Sequence, residues 1–211
     1  MRHLLIYAAS IFMSASANAA SFTFGIDPFA GSTALTTAGR QVVGGEPFIT
    51  FNVATDQFVL ASSAFGPYGF GPNINFANDV IGNIPTSGNN MIVLRTFDDD
   101  ANAATVFGAG NAANLIATRL TSPAPGFFIY FNSALDLPRL VFSTDLNDNT
   151  SDLKIIARLT NLPGQAGRDA MATFTAGNFV VPEPSSWALL LSLPVAIWSL
   201  RLRRRAGLLA N

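Results

Sequence analysis

Phe127-Phe128-Ile129-Tyr130-Phe131 is an unbroken, largely aromatic run entered from the turn pair Pro125-Gly126. Continuous apolar character of this length reads as a strand in the core. Similar runs lie on both sides. Upstream, Phe48-Ile49-Thr50-Phe51-Asn52-Val53 puts Ile49, Phe51 and Val53 on one face, and Phe58-Val59-Leu60-Ala61 returns after Ala54-Thr55-Asp56-Gln57. That pattern predicts a hairpin. Met91–Phe97, Leu115–Leu120, Leu140–Thr144, Lys154–Thr160 and Met171–Thr175 complete the set, with Phe22–Phe24 as a further edge strand. Gly44-Gly45, Gly66-Pro67, Gly71-Pro72, Pro123 and Pro163-Gly164 punctuate them. Short strands with such breaks predict an all-β domain, a single β-sandwich of jelly-roll type. Asp98–Ala113 departs from the pattern and reads as a short helix or loop, and Ala64–Asn83 as a surface loop.

The 211-residue chain is 49% hydrophobic and 12% charged, with 18 phenylalanines and no cysteine. Charge is about half the usual globular share of roughly 25%, which excludes disorder driven by polarity. Without cysteine there are no disulfides, thiolate metal sites or cysteine nucleophiles. The single histidine is His3, so a histidine-based triad is excluded from the chain beyond its first residues. The span 20–181 carries seven basic against twelve acidic residues, a balance of about −5. A domain of that sign lacks the footprint for phosphate backbones, and no nucleic-acid partner is expected.

The ends differ from the middle. Arg2-His3 precedes an apolar stretch, Leu4–Met13, and then small residues ending in Ala17-Asn18-Ala19. A basic start, a short apolar region and small residues at Ala17 and Ala19 predict a signal peptide over 1–19, removed by signal peptidase after Ala19. At the other end, Pro182-Glu183-Pro184 is followed by an apolar run from Trp187 to Leu200 that includes Leu190, Leu193 and Ile197. As a helix this run spans about 21 Å, short of the roughly 30 Å hydrocarbon core. Pro194 breaks one of its backbone hydrogen bonds. Arg201, Arg203, Arg204 and Arg205 follow, on the side that the positive-inside bias keeps cytoplasmic, ahead of a tail over 206–211. The physics describes a marginal stop-transfer segment, a short transmembrane helix rather than a permanent anchor.

Tripeptide, apolar helix and arginine cluster together resemble the PEP-CTERM sorting signal of Gram-negative bacteria, here over 182–205. The resemblance implies processing by an exosortase. The precursor is held transiently at the inner membrane, cleaved near Pro182-Glu183-Pro184, and passed to the cell envelope or the extracellular matrix. It also implies an association with exopolysaccharide, which no residue of the middle domain indicates. Beside the resemblance stands a physical reading: two prolines bias the peptide to a stiff extended form that suits a protease cleft, or that serves only as a rigid spacer.

Within 20–181, oxygen-bearing side chains alternate in Asp145-Leu146-Asn147-Asp148-Asn149-Thr150-Ser151-Asp152. Asp145, Asn147 and Asn149 match the first half of a Ca²⁺ loop, but Thr150 replaces its glycine and Ile156 its bidentate glutamate. The stretch is a candidate irregular Ca²⁺ site, with Asp152 as a further ligand, or an ordinary exposed connection. Asp98-Asp99-Asp100 is either a cation or acid/base cluster or a solvated turn. Glu46, the only glutamate in this span, lacks a partner that spacing selects, and Tyr68 and Phe70 are either sugar-stacking or core-capping aromatics. No cofactor beyond Ca²⁺ and no catalytic residue is expected. The leading expectation is a non-enzymatic exported protein of structural or adhesive type. The alternatives are a secreted carbohydrate-active enzyme using Asp/Glu pairs and a permanently anchored periplasmic binding domain.

Overall fold

The computed structural model describes residues 19–182. In chain order the elements are β1 (Ser21–Phe24), β2 (Val42–Val43), β3 (Phe48–Ile49), β4 (Gln57–Leu60), α1 (Ser62–Phe65), β5 (Phe76–Asp79), β6 (Met91–Leu94), α2 (Ala109–Arg119), β7 (Gly126–Asn132), β8 (Leu137–Ser143), β9 (Leu153–Leu159), α3 (Gly164–Met171) and β10 (Phe179–Val180). Strands form two sheets. The larger runs β2-β9-β8-β7-β6-β5, with β3 also on β9; the smaller is β1-β4-β10.

The 127–131 run is the seven-residue strand β7, buried at every position. Its side chains alternate between two cores. Phe127, Ile129 and Phe131 point into a core shared with the small sheet. Phe128 and Tyr130 point the other way, against α2. The large sheet is therefore covered on both faces, which is why its central strand needs no polar residue. The inter-sheet core is rich in phenylalanine. Phe51 and Phe58 stack at 4.1 Å, and Phe65, Phe127 and Phe142 meet with centroids 4.8–5.0 Å apart. Aromatic contacts at these spacings add about 0.5–1.5 kcal/mol each beyond the area they bury.

Strand direction departs from a jelly roll, which is antiparallel. The small sheet is parallel throughout. In the large sheet β8 alone opposes its neighbours, while β5, β6 and β7 run parallel and β2 and β3 run parallel to β9. The expected hairpin between 48–53 and 58–61 does not form. Residues 52–56 do turn, through the Asp56 and Thr55 N–H groups on the Asn52 carbonyl, but β3 joins the large sheet and β4 the small one. The alternation correctly marked Ile49 and Phe51 as buried. It carried no information on which strand they face.

Two expected strands do not form: one is helical and the other is a turn. Leu115–Leu120 falls in and just after α2, whose buried residues Ala109, Ala112, Ala113 and Ile116, followed by Leu120, recur at helical spacing. Alanines there let the helix lie close to the sheet, so the 3.6-residue period overrides the local alternation. Met171 ends α3, and Asn78 Nδ2 donates to the carbonyls of Met171 and Phe174, closing that turn. The stretch 64–83 is not simply surface loop: Phe65 and Phe70 are buried and Phe76–Asp79 is an edge strand.

Among the described residues no helix is long and apolar enough to cross a membrane. The segment read as a signal peptide, up to Asn18, and Glu183, Pro184, the apolar run and the arginine cluster lie outside the described residues. Ala19 and Ala20 are exposed immediately before β1, and Pro182 is exposed immediately after the buried Val181.

Candidate functional site

Strand register assembles a row of side chains that no local pattern suggests. Tyr130 on β7 lies opposite Arg139 on β8, Arg139 opposite Arg158 on β9, and Arg158 opposite Phe48 on β3. Directly opposed residues share a face of the sheet. The two arginines are neighbours because of a β-bulge: Val141 pairs with Ile155 but Leu140 with Ala157, so Ile156 is extra and the register shifts by one. Without that shift Ala157 would stand beside Arg139.

Two guanidinium groups side by side repel each other. Glu46 relieves this. It projects from the loop between β2 and β3, where Gly45 adopts φ +87°, a conformation that favours glycine. Its Oε1 accepts from Arg158 Nε at 2.5 Å and from Arg139 Nη2. The Glu46 side chain is 3% exposed, against 12% for Arg139 and 29% for Arg158. Arg158 also lies over the Phe48 ring, 4.8 Å from its centroid, and the Tyr130 hydroxyl accepts from Asn132 Nδ2 at 3.0 Å. Burial alone would raise the Glu46 carboxyl, but the hydrogen bonds from Arg158 and Arg139 hold it below its ordinary value. Burial raises the Tyr130 phenol. One carboxylate between two guanidiniums is thus a fixed ionic cluster with one surplus positive charge. It does not store the proton that a general acid requires. Beside it a cleft of about 380 Å³ is bounded by Phe24, Ile26, Pro28, Glu46, Lys154 and Ile156.

The other sequence candidates are engaged in holding loops. Asp152 accepts the N–H groups of Leu35 and Gln41, both at 2.6 Å. Asp145 Oδ1 accepts those of Ala124 and Asn147. The Asn147 amide turns away to the carbonyls of Ala117 and Leu120 at the end of α2, and Asn149 is exposed. Arg40, unremarked in the sequence, binds this segment to α2: Nε donates to the Ser151 carbonyl at 3.0 Å and Nη1 to Gly110 and Asn114 at 2.9 and 2.8 Å. Carboxylates gather within 4.8 Å at Asp98, Asp99 and Asp100, the one such group among the described residues. There Asp100 accepts from the Asn102 N–H and the Thr105 hydroxyl, and Asp99 from Asn111. Tyr68 donates to Asp27 at 2.6 Å and packs on Phe29 and Phe142, while Phe70 is 2% exposed against Phe127. Both aromatics cap the core.

No family model, no curated protein and no solved structure matches this chain.

Proposed function

We propose that the chain is an exported envelope or extracellular-matrix protein of structural or adhesive type, sorted through its PEP-CTERM-like tail by an exosortase. The observation that carries this reading is the ordered sequence Pro182-Glu183-Pro184, Trp187–Leu200, Arg201 to Arg205, beginning where the buried chain ends at Val181. An exposed Pro182 gives a protease an extended segment directly outside the folded domain. The strand-built domain is the delivered part, a two-sheet sandwich in this reading. A non-enzymatic role is favoured over glycan hydrolysis because the single glutamate of the domain is neutralised by Arg139 and Arg158.

Mass spectrometry of the protein taken from cells carrying an exosortase should give a chain that starts at Ala20 and ends near Pro182-Glu183-Pro184. Deleting 182–205 should free the domain from the inner membrane and abolish its delivery. A mature chain that keeps Arg201–Arg205, with a location indifferent to the deletion, overturns the sorting role and favours a permanently anchored domain.

A further inference from the structure

Asp56 is a second sequestered carboxylate, 5% exposed. Its Oδ1 accepts the N–H of Ala20 at 2.9 Å and the Thr55 hydroxyl at 3.0 Å, and its Oδ2 the N–H of Asn52 at 2.9 Å. From the turn Ala176–Asn178, Asn178 Nδ2 donates to the Asp56 carbonyl at 3.0 Å. Every partner of the carboxylate itself is neutral: Ala20, just before β1, and Asn52 and Thr55 of the 52–56 turn. None of the four ion pairs among the described residues involves Asp56. A buried carboxylate with no counter-charge is normally avoided.

One of those partners is unlike an interior amide. The Ala20 nitrogen is the atom freed when the chain is cut after Ala19, at the Ala17-Asn18-Ala19 motif. We propose that Asp56 is a receptor for the α-ammonium group of the processed chain, so that removal of the leader supplies the missing counter-ion. The inference rests on the export reading above. Hydrolysis places the hydroxyl of water on the Ala19 carbonyl carbon and its proton on the Ala20 nitrogen, which takes one more proton from solvent. The nitrogen need not move. The Gln57 N–H donates to the Ala20 carbonyl at 2.9 Å, and Ser21 is already in register with Gln57. A neutral N–H···O⁻ contact thereby becomes a charge-assisted one. The precursor holds a carboxylate served by dipoles alone, just before the middle strand of its small sheet; the mature domain adds a counter-ion.

The test uses the full-length chain, exported by a Gram-negative host and purified from the envelope in detergent, with its N-terminus read by mass spectrometry. Three forms are compared: native, Asp56→Asn, and a chain with glycine inserted between Ala19 and Ala20, which keeps Asp56 but displaces the amine. In the native form the α-amine, followed by its acylation rate against pH, titrates at least one unit above its ordinary value of about 8. The melting temperature is then steady below that ordinary value and falls by about 2–4 °C as pH rises through the raised one, a shift of the size expected for a small ionic contribution in a domain of this length. Both variants lack this alkaline fall. A native chain that begins at Ala20 and melts with the same alkaline profile as both variants overturns the receptor role and leaves the export reading intact. A chain beginning at another residue beyond the leader does the same. A chain that still carries its leader overturns both.

Discussion

Glu46 and Asp56 are both withdrawn from solvent, and their surroundings are opposite. Glu46 lies between two guanidinium groups on the helix-covered face of the large sheet. Asp56, just before the middle strand of the small sheet, is held by N–H and O–H dipoles alone. Burial tends to raise each carboxyl and its partners outweigh that tendency, so both are held below their ordinary values, one by charges and one by dipoles. The contrast teaches that this lightly charged domain does not sequester carboxylates by one rule. Where the chain brings cations into register, the carboxylate is an internal tie. Where it does not, N–H and O–H dipoles alone hold the carboxylate.

The harshest way to break the comparison is Glu46→Ala. It strands Arg139 and Arg158 beside each other, and urea unfolding should report a loss of about 3 kcal/mol. A loss well under 1 kcal/mol would mean that the row of Tyr130, Arg139 and Arg158 is solvated and not a structural unit. A milder probe is acid. Each carboxylate has a lowered folded-state value, so its contribution is present above the unfolded value of about 4 and is lost as pH falls through the folded one. Urea midpoints should therefore drop between pH 5 and pH 3, and Glu46→Gln and Asp56→Asn should each flatten part of the drop. If neither variant changes the acid profile, the paired and the dipole-held carboxylate are energetically alike and the contrast fails. The smallest effect is expected from Arg158→Lys, because this side chain is 29% exposed. Losing the planar contact with Phe48 should lower stability by under about 1 kcal/mol, read as a small shift in melting temperature. A shift as large as that of Glu46→Ala would place the weight of the cluster on the ring contact instead of the ion pair.

Much of the strand content was legible. Met91, Phe127–Phe131, Leu140 and Lys154 all fall in strands at the places their apolar runs mark. The failures share a cause. Leu115–Leu120 alternates in polarity over six residues yet belongs to a helix whose earlier alanines are also buried, a pattern visible only over a longer window. The stretch 98–113, read as short helix or loop, is a loop as far as Gly108 and then the start of α2, where Asn111 accepts the Gly108 N–H. Met171–Thr175 has strand composition and is closed into a turn by Asn78, ninety-odd residues earlier. The candidate site was less legible still. Asp145 and Asp152 stood out as a ligand pattern, whereas their oxygens meet backbone N–H groups from distant loops.

From its residues alone this chain declares two chemically distinct ends, a low-charge acidic middle and the β-rich runs of a buried core. These follow from composition and short-range period, which report how each segment partitions between water and an apolar interior. Strand direction, the division into two sheets and the covering helix came only with the folded chain, because pairing depends on which distant segments close on one another. The Ile156 bulge is the plainest case. One extra residue, chemically unremarkable, moves Arg158 beside Arg139 and makes Glu46 an ionic bridge. Asp56 is the same lesson at the other sheet: thirty-six residues separate it from the nitrogen of Ala20, and parallel pairing of β1 with β4 is what brings them to 2.9 Å.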